Sequence, residues 1–374
     1  VRLAVCWAAL SELVPFYPLY ALLFLDAGLS DAQVSGLFAL WSVTGFLTEV
    51  PAGALADRWS RRGVVVLSGV LQAAGFALWT VAPTGSAFAA GFVLWGVGGA
   101  LVSGAAEALV FDGLADVGAQ AVYARVNGWM TAAELLVQLP TAAGATALFA
   151  VGDYPLVGWA SVAVCLAAAG LALRFPEPPR TPDDDGEPAG GTLRLGLAQA
   201  LRRPDLRLVV LAVALLGGLD AVEEYIPVMA RSWDVPAVAV PPAAVAVALA
   251  GALGAALGGR AAQLSTRGLL ALLAASGALL AGAAVWAHPP ALALLAACYG
   301  LYLAVLVVAE ARLQERIAGP YRATVTSVAG LGLELASLLV FGAWALGGPV
   351  AVAAVFLAAV PVVAAGLREP ARTP

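Results

Sequence analysis

Long apolar runs alternate with short polar breaks along the whole chain. Twelve runs stand out, at about 3–25, 32–55, 63–82, 86–110, 122–149, 155–175, 206–230, 237–258, 267–287, 290–311, 322–346 and 349–367, each bounded by Gly, Pro or charge. A helix needs about 20 apolar residues to cross the hydrocarbon core of a bilayer. In lipid, helices are also the only open-chain way to pair every backbone hydrogen bond. The pattern therefore predicts an all-α polytopic membrane protein with twelve transmembrane helices.

One segment interrupts it. From Phe175 to Pro204 the chain first reads PEPPRTPDDDGEPAGG, too polar and too rich in Pro and Gly to span, which predicts a linker. TLRLGLAQALRRP follows, with Leu193, Leu197 and Leu201 every fourth residue and arginines between them. That spacing predicts a short amphipathic helix at the membrane surface. The expected organisation is a six-helix bundle over 1–175, a cytoplasmic linker over 176–204 and a second six-helix bundle over 205–374.

Composition sharpens the class. Apolar residues make up 62% of the 374, against about 45–50% in soluble domains. Charged residues are only 11%, less than half the usual share of about 25%. Mean hydropathy is +0.92. These figures exclude a soluble domain, a disordered chain, a disulfide scaffold and a nucleic-acid binder. The formal charge is −5, and all 19 basic residues are arginine. With twelve spans and the N-terminus inside, every arginine except Arg231 falls on the cytoplasmic side, the bias expected of short cytoplasmic loops. Both termini are therefore expected in the cytoplasm, in a bacterial-type plasma membrane. A phosphate-binding loop of the G-x-x-x-x-G-K-[ST] type cannot be built without lysine. Cys6, Cys165 and Cys298 sit apart in apolar stretches and read as small packing residues. His288 is the single histidine, so a zinc site of the usual His/Cys kind lacks ligands. No metal and no cofactor are expected.

The two halves look related. GALADRWSRRG (Gly53–Gly63) and GGRAAQLSTRG (Gly258–Gly268) align without gaps at an offset of 205, each between the second and third span of its half. FYPLYA (Phe16–Ala21) and YIPVMA (Tyr225–Ala230) match in the first span of each half, and YAR at Tyr123 and YRAT at Tyr321 precede each fifth span. These matches suggest two parallel six-helix repeats.

The loop after the second span resembles the G-x-x-x-D-R-x-x-R-R signature of the major facilitator superfamily. Gly53, Asp57, Arg58, Arg61 and Arg62 occupy its places, with Ser60 where the family usually has Gly. The resemblance implies the family fold, two pseudo-symmetric six-helix bundles, and a cytoplasmic gate in which Gly lets helices approach while Asp and Arg lock that side. Gly53, Asp57, Arg58, Arg61 and Arg62 are the gate candidates, with Glu49 and Arg125 beside them and Asp112 as a partner for the arginines. Two signatures of drug:proton antiporter-like members are poorly matched. The fourth span has VLWGVGG (Val93–Gly99) without an arginine, and the fifth-span pattern survives only as LPTAAG (Leu139–Gly144).

Acids stand where they are costly. Glu12, Glu49, Glu107, Glu134, Asp220, Glu223, Glu224, Glu310 and Glu334 fall within the proposed spans. A charge at the bilayer centre costs about 2.5–3.5 kcal/mol even on lenient scales, so most of these groups should line a wet cavity or hold a proton. Carboxyl groups of that kind can load a proton on one side of a membrane and release it on the other. At about 100° per residue, Asp220, Glu223 and Glu224 share an arc of about 100° on one side of the seventh span. Gly217 and Gly218 thin that helix and Pro227 interrupts its hydrogen bonding. The GGLD run (Gly217–Asp220) lacks the G-x-G-D and second Asp of an intramembrane protease. Family members build a central cavity from spans one, four, seven and ten. The resemblance therefore places Glu12, Tyr20, Glu107, Asp220, Glu223, Glu224, Tyr225 and Glu310 as cavity candidates, with Glu134 and Glu334 in spans five and eleven.

The expected function is proton-coupled secondary active transport by alternating access, with no enzymatic activity. An acidic cavity with aromatic residues and no arginine favours a small cationic, zwitterionic or lipophilic substrate, and export is the leading direction. Cation-coupled uptake of a nutrient or metal ion is the alternative, and a receptor or scramblase on the same fold is a third reading. The expected partners are the substrate, protons and membrane lipid, with no nucleic acid, for a monomer.

Overall fold

The computed structural model describes residues 1–176, 204–317 and 322–368. The expected surface helix around Leu193–Leu201, nearly all of the linker, and Tyr321 of the third repeat match lie outside the described residues. No strand occurs among the described residues, which are helical nearly throughout.

Among the described residues, eight stretches are long and apolar enough to cross a bilayer. Two of them are too long for one crossing. Gln120–Ala172 has 53 residues and Val328–Leu367 has 40, about 80 and 60 Å of helix against a core of about 30 Å. Each breaks at a non-helical pair, Gly152–Asp153 in one and Gly347–Gly348 in the other. Asp153 at φ 52° and Gly348 at φ 59° supply the positive φ that the turn requires. Pro155 and Pro349 follow at once, in the first turn of the next helix, where a missing N–H costs nothing. The same solution thus joins spans five and six and spans eleven and twelve.

The first and seventh spans are broken. Helices Arg2–Glu12 and Tyr20–Asp26 make the first. Helix Pro204–Leu219, a tight 3-10 segment Asp220–Tyr225 and helix Ile226–Ser232 make the seventh. Eight helices, two of them doubled, plus two broken spans give the twelve expected from the apolar pattern. The breaks fall at the matching FYPLYA and YIPVMA sequences, where Pro15, Pro18 and Pro227 withhold backbone donors. The groups this leaves open are satisfied from distant spans. Phe16 N–H donates to Ser161 Oγ at 3.0 Å. The Tyr302 hydroxyl donates at 2.7 Å to the carbonyl of Leu216, one of the last four carbonyls of its helix.

The aligned Ser after each second span is an N-cap, and the aligned Gly supplies the N–H it accepts from. Ser60 caps helix Arg61–Val81 by accepting from Gly63 N–H at 2.7 Å, and Ser265 caps Thr266–Trp286 by accepting from Gly268 N–H at 3.3 Å. The fourth and tenth spans differ. The fourth breaks between Gly85–Val102 and Ala105–Ala115, at Gly104 with φ 67°, whereas Leu292–Arg316 runs through as one helix.

By internal packing the chain forms two units. The first comprises Val1–Ser30, Leu40–Asp184 and Pro236–Val245, and the second Asp31–Ala39, Asp185–Val235 and Ala246–Pro374. In the second unit, small residues let helices touch backbone to backbone, as is usual in membranes. A Cβ at Gly218 would stand 2.6 Å from the carbonyl carbon of Ala336, so the seventh and eleventh spans meet there with no room for a side chain.

Candidate functional site

Each unit holds one set of acids with polar partners. In the second unit the acids sit where the seventh span changes its pitch. The Tyr299 hydroxyl lies 3.0 Å from Asp220 Oδ1 and 2.9 Å from Glu223 Oε2. Tyr299 and Tyr302 are three residues apart on the tenth span, so they share a face and reach the broken segment together. Tyr299 is 5% exposed and Tyr302 is fully buried. Glu310, exposed near the end of the same helix, is an electrostatic neighbour of Asp220 and Tyr302.

The chemistry follows from counting hydrogens. A phenol carries one hydrogen, and an ionised carboxylate carries none. Tyr299 can donate to only one of its two acids. Both contacts become hydrogen bonds when the other acid holds a proton and donates it to the phenolic oxygen. The arrangement is thus completed by one extra proton.

Glu224 is half-buried and lies near the Tyr225 hydroxyl, which shares a hydrogen bond of 2.7 Å with buried Ser35. The Tyr225 ring is buried and stacks on Trp344 at 4.0 Å and 13°. Glu334 is half-buried in the eleventh span, and its carbonyl accepts from Ser337 Oγ at 2.7 Å.

In the first unit, Glu12 ends helix Arg2–Glu12 half-buried, with Glu134 as its electrostatic neighbour. Cys165 donates from Sγ to Gln72 Oε1 at 3.7 Å. The Gln72 amide donates in turn to the Tyr17 hydroxyl at 2.8 Å. The Tyr17 ring lies parallel to Trp95, with centroids 5.4 Å apart. Tyr20, 4% exposed, is packed behind this face against Phe24, Trp79 and Phe92.

The signature loop lies at one end of the first unit. Arg61 forms an ion pair with Asp112, and Arg62 Nη1 donates to the carbonyl of Phe175 at 3.2 Å. Glu49 is bonded by Ser103 Oγ at 2.9 Å, at the break in the fourth span. Glu107 stands exposed in the first turn of Ala105–Ala115, where the helix dipole favours an acid. Arg58 and Arg125 are exposed, and Gly53 has open space around it rather than a packed neighbour. The side chain of Asp57 lies outside the described residues. Among the described residues no group of three His, Cys, Asp or Glu side chains is placed to hold a metal ion.

Sequence reasoning found the acids and missed their partners. Tyr299, Tyr302, Gln72, Tyr17 and Ser35 were not singled out. A polar ring twice at three-residue spacing, CYGLY (Cys298–Tyr302), and a lone Gln inside an apolar third span were the available signals.

Comparison with known proteins bears on the family and the fold. Residues 3–341 match the model of the Major Facilitator Superfamily. Sequence comparison with curated proteins gives no match. Among solved structures, the nucleoside transporter NupG is similar with a TM-score of 0.76 and 12% identity, over 97% of this chain and 96% of that one. A D-xylose-proton symporter gives 0.71 and 14%, over 97% of both chains. A bacterial homolog to the human lysosomal transporter Spinster, in an inward-facing and unoccupied conformation, gives 0.69 and 16%, over 98% of this chain and 94% of that one. A signature loop capped as a helix start, twelve spans in two related halves and a family match across nearly the whole length lead to one conclusion: the chain belongs to the Major Facilitator Superfamily and is a secondary transporter, not an enzyme.

Proposed function

We propose that this chain is a proton-coupled transporter that exports a small cationic, zwitterionic or lipophilic compound by alternating access. The carrying observation is the Tyr299 hydroxyl held between Asp220 and Glu223. That group has a natural place for one proton and loses a hydrogen bond when the proton leaves. Proton loading and release therefore change how the broken seventh span is held against the tenth. Glu12 and Glu134 are two acids of the first unit that can carry negative charge, and no arginine lies inside the spans of that unit, since Arg2, Arg58, Arg61, Arg62, Arg125 and Arg174 stand at their ends. A positive or neutral ligand fits such an interior better than an anion. Arg61 with Asp112 is a gate contact on the cytoplasmic side in this reading, and Gly53, Asp57, Arg58, Arg62, Glu49 and Arg125 belong to the same end. The sorting of the arginines supports both termini on the cytoplasmic side of a bacterial-type plasma membrane, and a monomer is part of the same proposal.

Proteoliposomes with an imposed pH gradient, acid inside, test the reading. Ethidium should accumulate inside, and a protonophore should release it. Accumulation that survives the protonophore overturns proton coupling. Uptake is the second reading, favoured by the missing fourth-span arginine in Val93–Gly99. It predicts that solute and protons enter together, so accumulation would require the opposite polarity, acid outside.

A further inference from the structure

We infer that Tyr17, Trp41 and Trp95 form a recognition face in the first unit, and that it takes an organic cation with a flat aromatic or quaternary onium centre. The inference rests on the transport reading above, because it assigns the class of compound carried.

Rings from the first four spans make one continuous cluster in this unit. Its buried layer is Tyr20, Phe24, Phe76, Trp79, Phe88 and Phe92, each at most 4% exposed. Trp95 lies at the edge of that layer. It is parallel to Tyr17 within 3° and to Phe92 within 7°, and its centroid is 4.9 Å from that of Trp41. Tyr17, Trp41 and Trp95 come from the first, second and fourth spans, and all three stay half-buried rather than buried. Their positions are held. Gln72 fixes the Tyr17 hydroxyl. A Cβ at Gly96 would stand 2.9 Å from Thr44 and 3.0 Å from the carbonyl of Trp41, so the glycine lets the second and fourth spans approach and brings the two indoles together.

Two observations say what such a face is for. Tryptophans that anchor a helix in lipid sit near its ends, but Trp41 and Trp95 are mid-helix in Asp31–Arg58 and Gly85–Val102. Tyr17 is also tied to an amide, a group with no reason to face hydrocarbon. The face is furthermore tied through Gln72 to buried Cys165, and the same unit holds the acids Glu12 and Glu134 as electrostatic neighbours of each other. Aromatic faces attract cations, most strongly indoles and most strongly away from water. A unit that holds acids and stacked indoles, with arginine only at the span ends, is complementary to a ligand that is positive and flat. An anion would be repelled by ionised acids and by the negative faces of the rings.

Equilibrium binding of labelled tetraphenylphosphonium to the purified full chain, with no gradient, tests this. Saturable binding is expected, weakened about tenfold or more by Trp95→Leu and by Trp41→Leu. Trp95→Phe keeps a ring and should stay within a few-fold of the unaltered protein. Thermal unfolding and monodispersity of each variant separate a lost contact from a lost fold, and the Trp41 change covers the case in which Trp95→Leu does not fold. Equal affinity in folded Leu variants, or no saturable binding of either tetraphenylphosphonium or ethidium, overturns the inference. Because this binding needs no proton gradient, intact binding with no gradient-driven flux would defeat the coupling reading and leave the recognition face standing.

Discussion

The acids of the two units keep different company. In the second unit Asp220 and Glu223 meet a phenol that is almost completely buried. In the first, Glu12 and Glu134 share the unit with a thiol and an amide that are hydrogen-bonded in turn to a face of stacked rings. A phenol between two carboxyls gives a place for a proton. A line of donors ending on indoles gives a place for a ligand. The related halves of one sequence have thus been fitted with different polar partners, and the division of labour we propose, proton in one unit and cation in the other, follows from those partners rather than from the acids themselves.

The comparison breaks most visibly at Asp220. Asp220→Asn should reduce gradient-driven accumulation to that of empty vesicles, while exchange of labelled for unlabelled solute without a gradient continues. Loss of both would mean that Asp220 holds the solute, and the contrast between the units would fall. A smaller effect is expected at the bridge. Tyr299→Phe leaves both acids and removes the hydroxyl between them, and should slow coupled flux by at least about tenfold, at the low end of what a lost proton-transfer partner costs. Tyr17→Phe removes the corresponding hydroxyl of the first unit and should leave proton coupling unchanged, altering solute affinity only.

Next in size is a test of how the broken spans are supported. The seventh packs on the eleventh through Gly218, whereas the first is held by the bond from Phe16 to Ser161. Gly218→Val should cost about 1–3 kcal/mol of stability by overpacking, read as a lower unfolding midpoint in detergent. The smallest effect tests the repeat. Ser60→Ala and Ser265→Ala should each cost about 1 kcal/mol, the usual loss of an N-cap. Unequal losses would show that the two loops, similar as they are in letters, do not start their helices alike.

Much of the fold was legible because a spanning helix writes itself as an uninterrupted apolar run. The proline-bearing breaks in the first and seventh spans were legible too, since FYPLYA and YIPVMA match and their prolines remove donors. The break at Gly104 was not. In a chain with 41 glycines, nothing marks Gly104 as one of those that need a positive φ. At the site, acids inside apolar runs announced themselves by their cost. Their partners did not, because Tyr299 lies 79 residues beyond Asp220 and Gln72 lies 55 beyond Tyr17. Such pairs are made by helix packing, which leaves no local spacing to read. Tyr20 and Tyr225 show the converse. Both are aromatic residues beside matching prolines, yet packing turns their rings into the core.

The two buried thiols carry a practical consequence. Cys165 is bonded to Gln72, one step from the aromatic face, and Cys298 precedes Tyr299 and contacts Ser276 at 3.3 Å. Each unit therefore comes with its own native reporter. The rate at which a small alkylating reagent finds Cys165 measures how often water enters the cation side. The rate at Cys298 measures the same for the proton side. Motions that wet the two units at different times would modify these cysteines on different schedules, and a solute seated on the aromatic face would slow modification of Cys165 and spare Cys298.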